Sequence, residues 1–252
     1  MKQIQLSHFV IAACLTLGWV PAHSAEVNKN PNVVKWTTGS ILYRTIETQR
    51  QRALEVWNLT VHPDGSRTMR SVVNNFDAEN QLNMIHRVTA DFRPLESLVS
   101  YWSKGSYVGS GMFTIDGQTL NATVSGPDGL VTNHVKVPEH FSIVPHPLAT
   151  DSWHTWYYDK KVGGPQPMTL YNLQIAPKTG TPVLGRLQTN TMTFDGREEV
   201  EVPAGVFMTD HFKIGKDVSV WLSGPVNMLV RYASPKSDLE YVLMTVSSGD
   251  FR

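Results

Sequence analysis

The chain has 252 residues, with 22 basic and 22 acidic side chains, a formal net charge of zero and 41% hydrophobic residues. That balance leaves no electrostatic footprint for nucleic acid or for an anionic membrane surface, and the length suits one large domain or two small ones. A single cysteine, Cys14, excludes disulfides, and its position in an apolar leader leaves the rest of the chain without a thiol nucleophile or a zinc thiolate site.

The leader comes first. Lys2 supplies a positive start, Phe9 to Val20 is apolar, and the small residues around Pro21 to Ala25 suit cleavage after Ser24. A membrane anchor is the competing reading, but the apolar run falls short of the ~20 residues that span a bilayer, so no stable membrane span is expected. Ile11-Ala12-Ala13-Cys14 has the look of a lipobox, yet the apolar run continues past it to Val20. The expectation is therefore a signal peptide over 1–24, periplasmic or secreted localisation, and a single β domain over 25–252. Removing the leader leaves 21 of the 22 basic residues against 22 acidic ones.

Glu47 and Glu55 interrupt Arg44, Arg50 and Arg52, a pattern that reads as a solvated surface. Next, Trp57, Leu59 and Val61 alternate with polar neighbours, Pro63-Asp64-Gly65 turns the chain, and Arg67 to Asn75 returns antiparallel. Alternation recurs at Leu95 to Tyr101 and Tyr107 to Ile115, followed by the Asp116-Gly117 turn, Leu120 to Val124 and a turn at Gly126 to Gly129. Gly105, Gly109 and Gly111 suit bends or bulges.

Pro145 to Asp159 interrupts this series and gathers His146, His154, Asp151, Asp159, Trp153, Trp156, Tyr157 and Tyr158. The prolines around His146 stiffen the backbone that presents it. Asp151 is placed to cap a helical turn over Ser152 to Tyr158, one turn from His154, and an Asp/His contact of that kind orients and strengthens a general base. His146, Asp151 and His154 are thus the candidate catalytic residues. If the segment roofs a cavity instead, Trp57, Trp102, Phe113 and Met112 are candidate walls, with Trp153, Trp156 and Tyr157 as the ligand-binding lip. A third reading makes these aromatics a plug at one end of the sheet. No His-x-His pair on a recognisable element supports a metal site among His134, His140, His146, His154 and His211, and no Gly-x-Ser-x-Gly context supports a serine hydrolase. No cofactor is expected.

Strands then follow at Leu170 to Ala176, Leu187 to Phe194, Arg197 to Val202 after an Asp195-Gly196 turn, Phe207 to Ile214, Val218 to Leu222, Met228 to Tyr232 and Tyr241 to Val246. His211 and Arg231 stand as single polar residues inside strands. Each is a candidate ligand contact; on an inward face Arg231 could also hold a buried acid, whereas period two, with Met228, Val230 and Tyr232 on the opposite face, favours an outward one. Short turns in place of helical crossovers exclude a parallel α/β fold. The class is mainly β, a single curved antiparallel sheet, half-barrel or barrel-like, with little helix.

Glu198 to Phe207, containing Val202-Pro203-Ala204-Gly205-Val206-Phe207, together with Asp210 to Ile214 and Val218 to Leu222, resembles the signature of a large family of proteobacterial exported proteins. The resemblance implies a curved antiparallel sheet similar to that of the LolA and LppX lipid carriers, and no particular activity. On the residues themselves, Pro203 and Gly205 suit a tight turn. The functional expectation is a binder of a hydrophobic or amphipathic small molecule. Its rivals are a cofactor-independent lyase, isomerase or hydrolase, and an envelope assembly factor whose partner is another protein.

Overall fold

The computed structural model describes residues 32–126, 129–145, 147–175 and 182–250. Eight strands follow one another as an antiparallel meander: β1 (Lys35–Arg44), β2 (Gln51–Val61), β3 (Arg67–Asn75), β4 (Asn80–Val88), β5 (Pro94–Ser103), β6 (Ser106–Asp116), β7 (Thr119–Gly126) and β8 (Gly129–Lys136). A second run comprises β9 (Ser142–Val144), β10 (Gln166–Ile175), β11 (Pro182–Val202), β12 (Gly205–Ile214), β13 (Val218–Ser223), β14 (Met228–Ser234) and β15 (Leu239–Asp250). All fifteen form one sheet in the order β8 to β1, then β15 to β9. The first and last of these strands therefore meet in its middle, Lys35 opposite Asp250 and Arg44 opposite Glu240.

Curvature follows from chain length. Strands β8 and β9 are the opposite edges of the sheet, yet only Val137 to Phe141 separates them in sequence. Five residues reach at most about 18 Å, far less than fifteen strands laid flat at ~4.8 Å each. The sheet must curl until its two ends almost touch. It does so: β11 reaches β6 and β7, and β9 reaches β5. The order remains open, with no pairing between β8 and β9.

Alternation selects the inner face. In β2 Ala53, Glu55, Trp57 and Leu59 are buried, while Val56 and Asn58 face outward. Inward residues from both runs meet in one core, with Phe113 of β6 against Tyr171 of β10 at 5.9 Å between ring centroids. Gly111 makes room for that packing, since a Cβ there would lie 2.7 Å from the Phe113 ring. Pro203 and Ala204 form the two-residue link between β11 and β12, and Gly205 takes φ +131°, as a turn at this point requires.

Two local expectations are corrected. Asp195-Gly196 does not reverse the chain but makes a bulge within β11, because residues on both sides of it pair with β12, Phe194 with Phe212 and Gly196 with His211. The helical turn starts earlier than Asp151: a 3-10 helix spans Leu148–Thr155, preceded by Pro147, and Asp151 lies within it without capping it. This helix belongs to the connection between β9 and β10, the one parallel pair among the described residues. A parallel pair needs a crossover of a dozen residues or more, which is why the regular hairpins are interrupted here.

Candidate functional site

The crossover runs through the hollow of the sheet. Ala149, Thr150, Ser152, Trp153, His154 and Thr155 are all buried, and the helix packs against β2, β3, β9, β10, β13 and β14. Glu55, expected on a solvated surface, is fully buried beneath it. Its carboxylate accepts hydrogen bonds from the Tyr43 hydroxyl at 2.6 Å, the Leu148 amide at 2.9 Å, the Ala149 amide at 3.1 Å and the Ser71 hydroxyl. Two otherwise unpaired amides at the helix start thereby gain a strand residue as their partner. Burial pushes the Glu55 carboxyl up from its ordinary value, against the pull of these four donors, and burial holds the Tyr43 hydroxyl well above its own. The strand alternation that placed Trp57 and Leu59 on one face already included Glu55, and that was the available signal.

The expected contact between Asp151 and His154 is present, with Nε2 to Oδ1 at 3.2 Å, and the two side chains are 15% and 5% exposed. Beside it His86 of β4 lies 5.9 Å from Trp153, ring to ring. Burial, and next the charge of His154, lowers the His86 imidazole to about 3. The Nδ1 atoms of His86 and His154 have no hydrogen-bond partner among the described residues. His146 lies outside the described residues, as do the leader and Cys14. Among the described residues no group of three or more His, Cys, Asp or Glu side chains is arranged to hold a metal ion.

The aromatics of the crossover fill the hollow and do not roof an open cavity. Trp153 is 2% exposed and donates its indole N–H to the Val226 carbonyl at 3.1 Å. Between it and Trp57, Leu59 and Met69 there remains a cavity of about 10 Å³, at the lower limit for one water. Trp57 and Phe113 are core residues, whereas Trp102 and Met112 lie on the outer face, Trp102 edge-on to Tyr107 at 5.5 Å. The four candidate walls therefore do not enclose one space. Trp156 and Tyr157 are half-buried where the crossover emerges, and they line a groove of about 610 Å³ with Phe92, Lys160, Asp210 and Phe212. Burial pushes the Tyr157 hydroxyl up to about 12.

His211 and Arg231 form a separate cluster on the second run. His211 stacks on Trp221 at 4.5 Å, its Nδ1 lies 3.1 Å from Glu198, and burial lowers its imidazole despite that acid and Asp195. Arg231 lies over the same indole and pairs at 2.6 Å with Glu240, a carboxylate only 5% exposed that Arg44 also holds at 2.8 Å. Of the alternatives for Arg231, the buried acid is what it meets. Neither residue approaches the crossover pair.

A further concavity is one the sequence did not announce. On the outer face of β1 to β6 a groove of about 630 Å³ is lined by Val56, Val72, Ile85 and Leu98, with Thr38, Asn58, Arg70, Asn83 and Ser100 among its polar residues. Its volume lies within the range of small-molecule sites. The signal was present as the outward half of each alternating strand, where Val56, Ile85 and Leu98 stand 39% to 49% exposed.

A long antiparallel sheet curled almost to closure around an internal plug defines a β-barrel-like class. No family model matches the chain, and no relative was found among curated proteins. The chain is similar to the β-barrel-like structure of a domain of unknown function, DUF1849, from Brucella abortus, with a TM-score of 0.50 and 10% identity over 86% of this chain and 98% of that one. A DUF1089 family protein from Pseudomonas aeruginosa gives 0.41 and 12% over 72% and 89%, and a Bacteroides fragilis protein with a YmcC-like fold gives 0.30 and 12% over 84% and 95%. At these identities the likeness is one of fold alone, and it rests on the Brucella structure.

Proposed function

We propose that the chain is an exported, periplasmic protein, released from a leader that ends at Ser24, whose single domain over 25–252 binds a hydrophobic or amphipathic small molecule. The observation that carries this reading is the apolar groove on the outer face of β1 to β6. Val56, Ile85, Leu98 and Met112 stand exposed on neighbouring strands of this face, and contiguous exposed apolar patches commonly mark binding sites. The resemblance of the Glu198 to Phe207 segment to the signature of a family of exported proteins, which implies a curved sheet similar to that of the LolA and LppX lipid carriers, adds support. Among the described residues no helix is long and apolar enough to cross a membrane.

Native mass spectrometry of the protein recovered from periplasm tests both parts. The expected spectrum shows a chain starting at Ala25 with a lipid-like mass bound. A chain that stays empty after incubation with a total lipid extract sinks the binding reading, and one retaining residues 1–24 sinks the export reading.

The contact between Asp151 and His154 favours a second reading, an acid/base pair acting on an apolar substrate without a cofactor. Because both groups belong to the crossover and are packed against the sheet, it requires that segment to lift. If His154→Ala and Asp151→Ala each left turnover of a discovered substrate unchanged, this reading would be wrong.

A further inference from the structure

We infer that the outer groove takes an anionic amphiphile, with Arg70 holding the head group, and Ile85 and Leu98 of the groove together with Met112, next to it in the same row, the apolar body. The inference rests on the binding reading above and adds the charge and orientation of the guest. Strand register places these four residues in one cross-strand row, Arg70 opposite Ile85, Ile85 opposite Leu98 and Leu98 opposite Met112. At ~4.8 Å per strand the row runs about 14 Å from the cation to the thioether, a track for an extended acyl chain. The three apolar members are 39%, 46% and 51% exposed. Val56 and Val72, opposite each other on the adjoining row, widen the apolar floor beside Arg70.

Arg70 carries the only charge among the described residues that line the groove. It is exposed, and it makes no ion pair or side-chain hydrogen bond among the described residues. The acid on the next outward row, Glu96, is already engaged by Arg87 at 2.8 Å. Asn58, Asn83 and Ser100 offer neutral hydrogen bonds only. An uncompensated guanidinium at the end of an apolar track complements a carboxylate, sulfate or phosphate monoester at the end of an apolar chain. Its fixed fork of donors engages such oxygens two at a time, and the adjoining apolar surface strengthens the contact by excluding water. A cationic head group meets repulsion at the same place.

Binding of dodecanoate, dodecyl maltoside and dodecyltrimethylammonium, each below its micellar concentration, tests this by calorimetry on the full chain. Dodecanoate is expected to bind about tenfold more tightly than the maltoside, with the cation weakest. Arg70→Gln should erase that preference, bringing dodecanoate affinity down to that of the maltoside, while Arg70→Lys restores part of it. Leu98→Asn should weaken both, and thermal melts of these surface variants confirm that each is folded. Equal affinities in the wild type, or a preference that survives Arg70→Gln, overturn the head-group assignment alone. Binding that ignores Leu98→Asn moves the guest elsewhere and overturns the inference. If none of the three probes binds the wild type, the binding reading falls and this inference falls with it.

Discussion

At the scale of single residues, the decisive side chains are those that make polar contacts inside an apolar hollow. Glu55→Ala would leave the Tyr43 and Ser71 hydroxyls and the Leu148 and Ala149 amides without their acceptor, a loss expected to cost about 3 kcal/mol in urea unfolding. Its pH dependence has a definite sign. Glu55 is raised from 4.5, so the folded protein holds that proton more tightly than the unfolded chain. Its contribution is complete below 4.5 and fades as pH rises through the folded value. Wild type should therefore lose stability relative to Glu55→Gln between pH 4.5 and neutrality. His86 has the opposite sign. With its imidazole lowered from 6.5 to about 3, its contribution is complete above 6.5 and is lost as pH falls, at about 1.4 kcal/mol per unit at most. Unfolding titrations between pH 7 and 4 should show that slope in the wild type and a shallower one in His86→Gln. The contact of Asp151 with His154 was legible because two residues three apart on a short helix fall on one side of it. Glu55 was less so, since a carboxylate among arginines looks solvated until the strand's inward face is traced through Ala53 and Trp57.

Among the elements, the crossover contributes most for its length. Trp153 is its central side chain, against Phe92 at 5.7 Å and His86 at 5.9 Å. Trp153→Ala should cost about 3 to 5 kcal/mol and enlarge the small neighbouring cavity. Added benzene or indole should then recover part of the lost Tm, whereas the wild type should not respond. Most strands were readable from alternation and turn chemistry, and β3 matches its expected bounds, Arg67–Asn75. Those that escaped had physical reasons. Strand β8 is exposed along nearly its whole length and shows no inward period, β9 has three residues, and β4 is half-buried on both faces from Asn80 to Asn83. The alternation of β1 is broken by a bulge between Ser40 and Ile41. The outer groove likewise carried no motif, because it is made of the ordinary outward residues of six neighbouring strands.

For the whole molecule, the mainly β class and the curved sheet followed from the density of short strands, but the strand order did not. No local pattern announces that β1 pairs with β15, or that a five-residue link joins opposite edges. Hydrogen exchange should display that order directly. Amides of β1 and β15, paired on both sides, are expected to exchange slowest, and those of β8, paired with β7 alone, fastest among the strands. Comparable protection in β8 and β1 would contradict the open sheet. The central seam also bears on how the molecule is made. Strand β1 leaves the ribosome about 200 residues ahead of its partner β15, so a chain folding during synthesis would carry a bare edge of hydrogen-bonding groups through most of its translation. A chain delivered unfolded across a membrane would bring both partners into one compartment within moments of each other. For this strand order, folding after delivery is the safer sequence of events, and a holdase that keeps β1 covered until β15 has been synthesised would serve the same end.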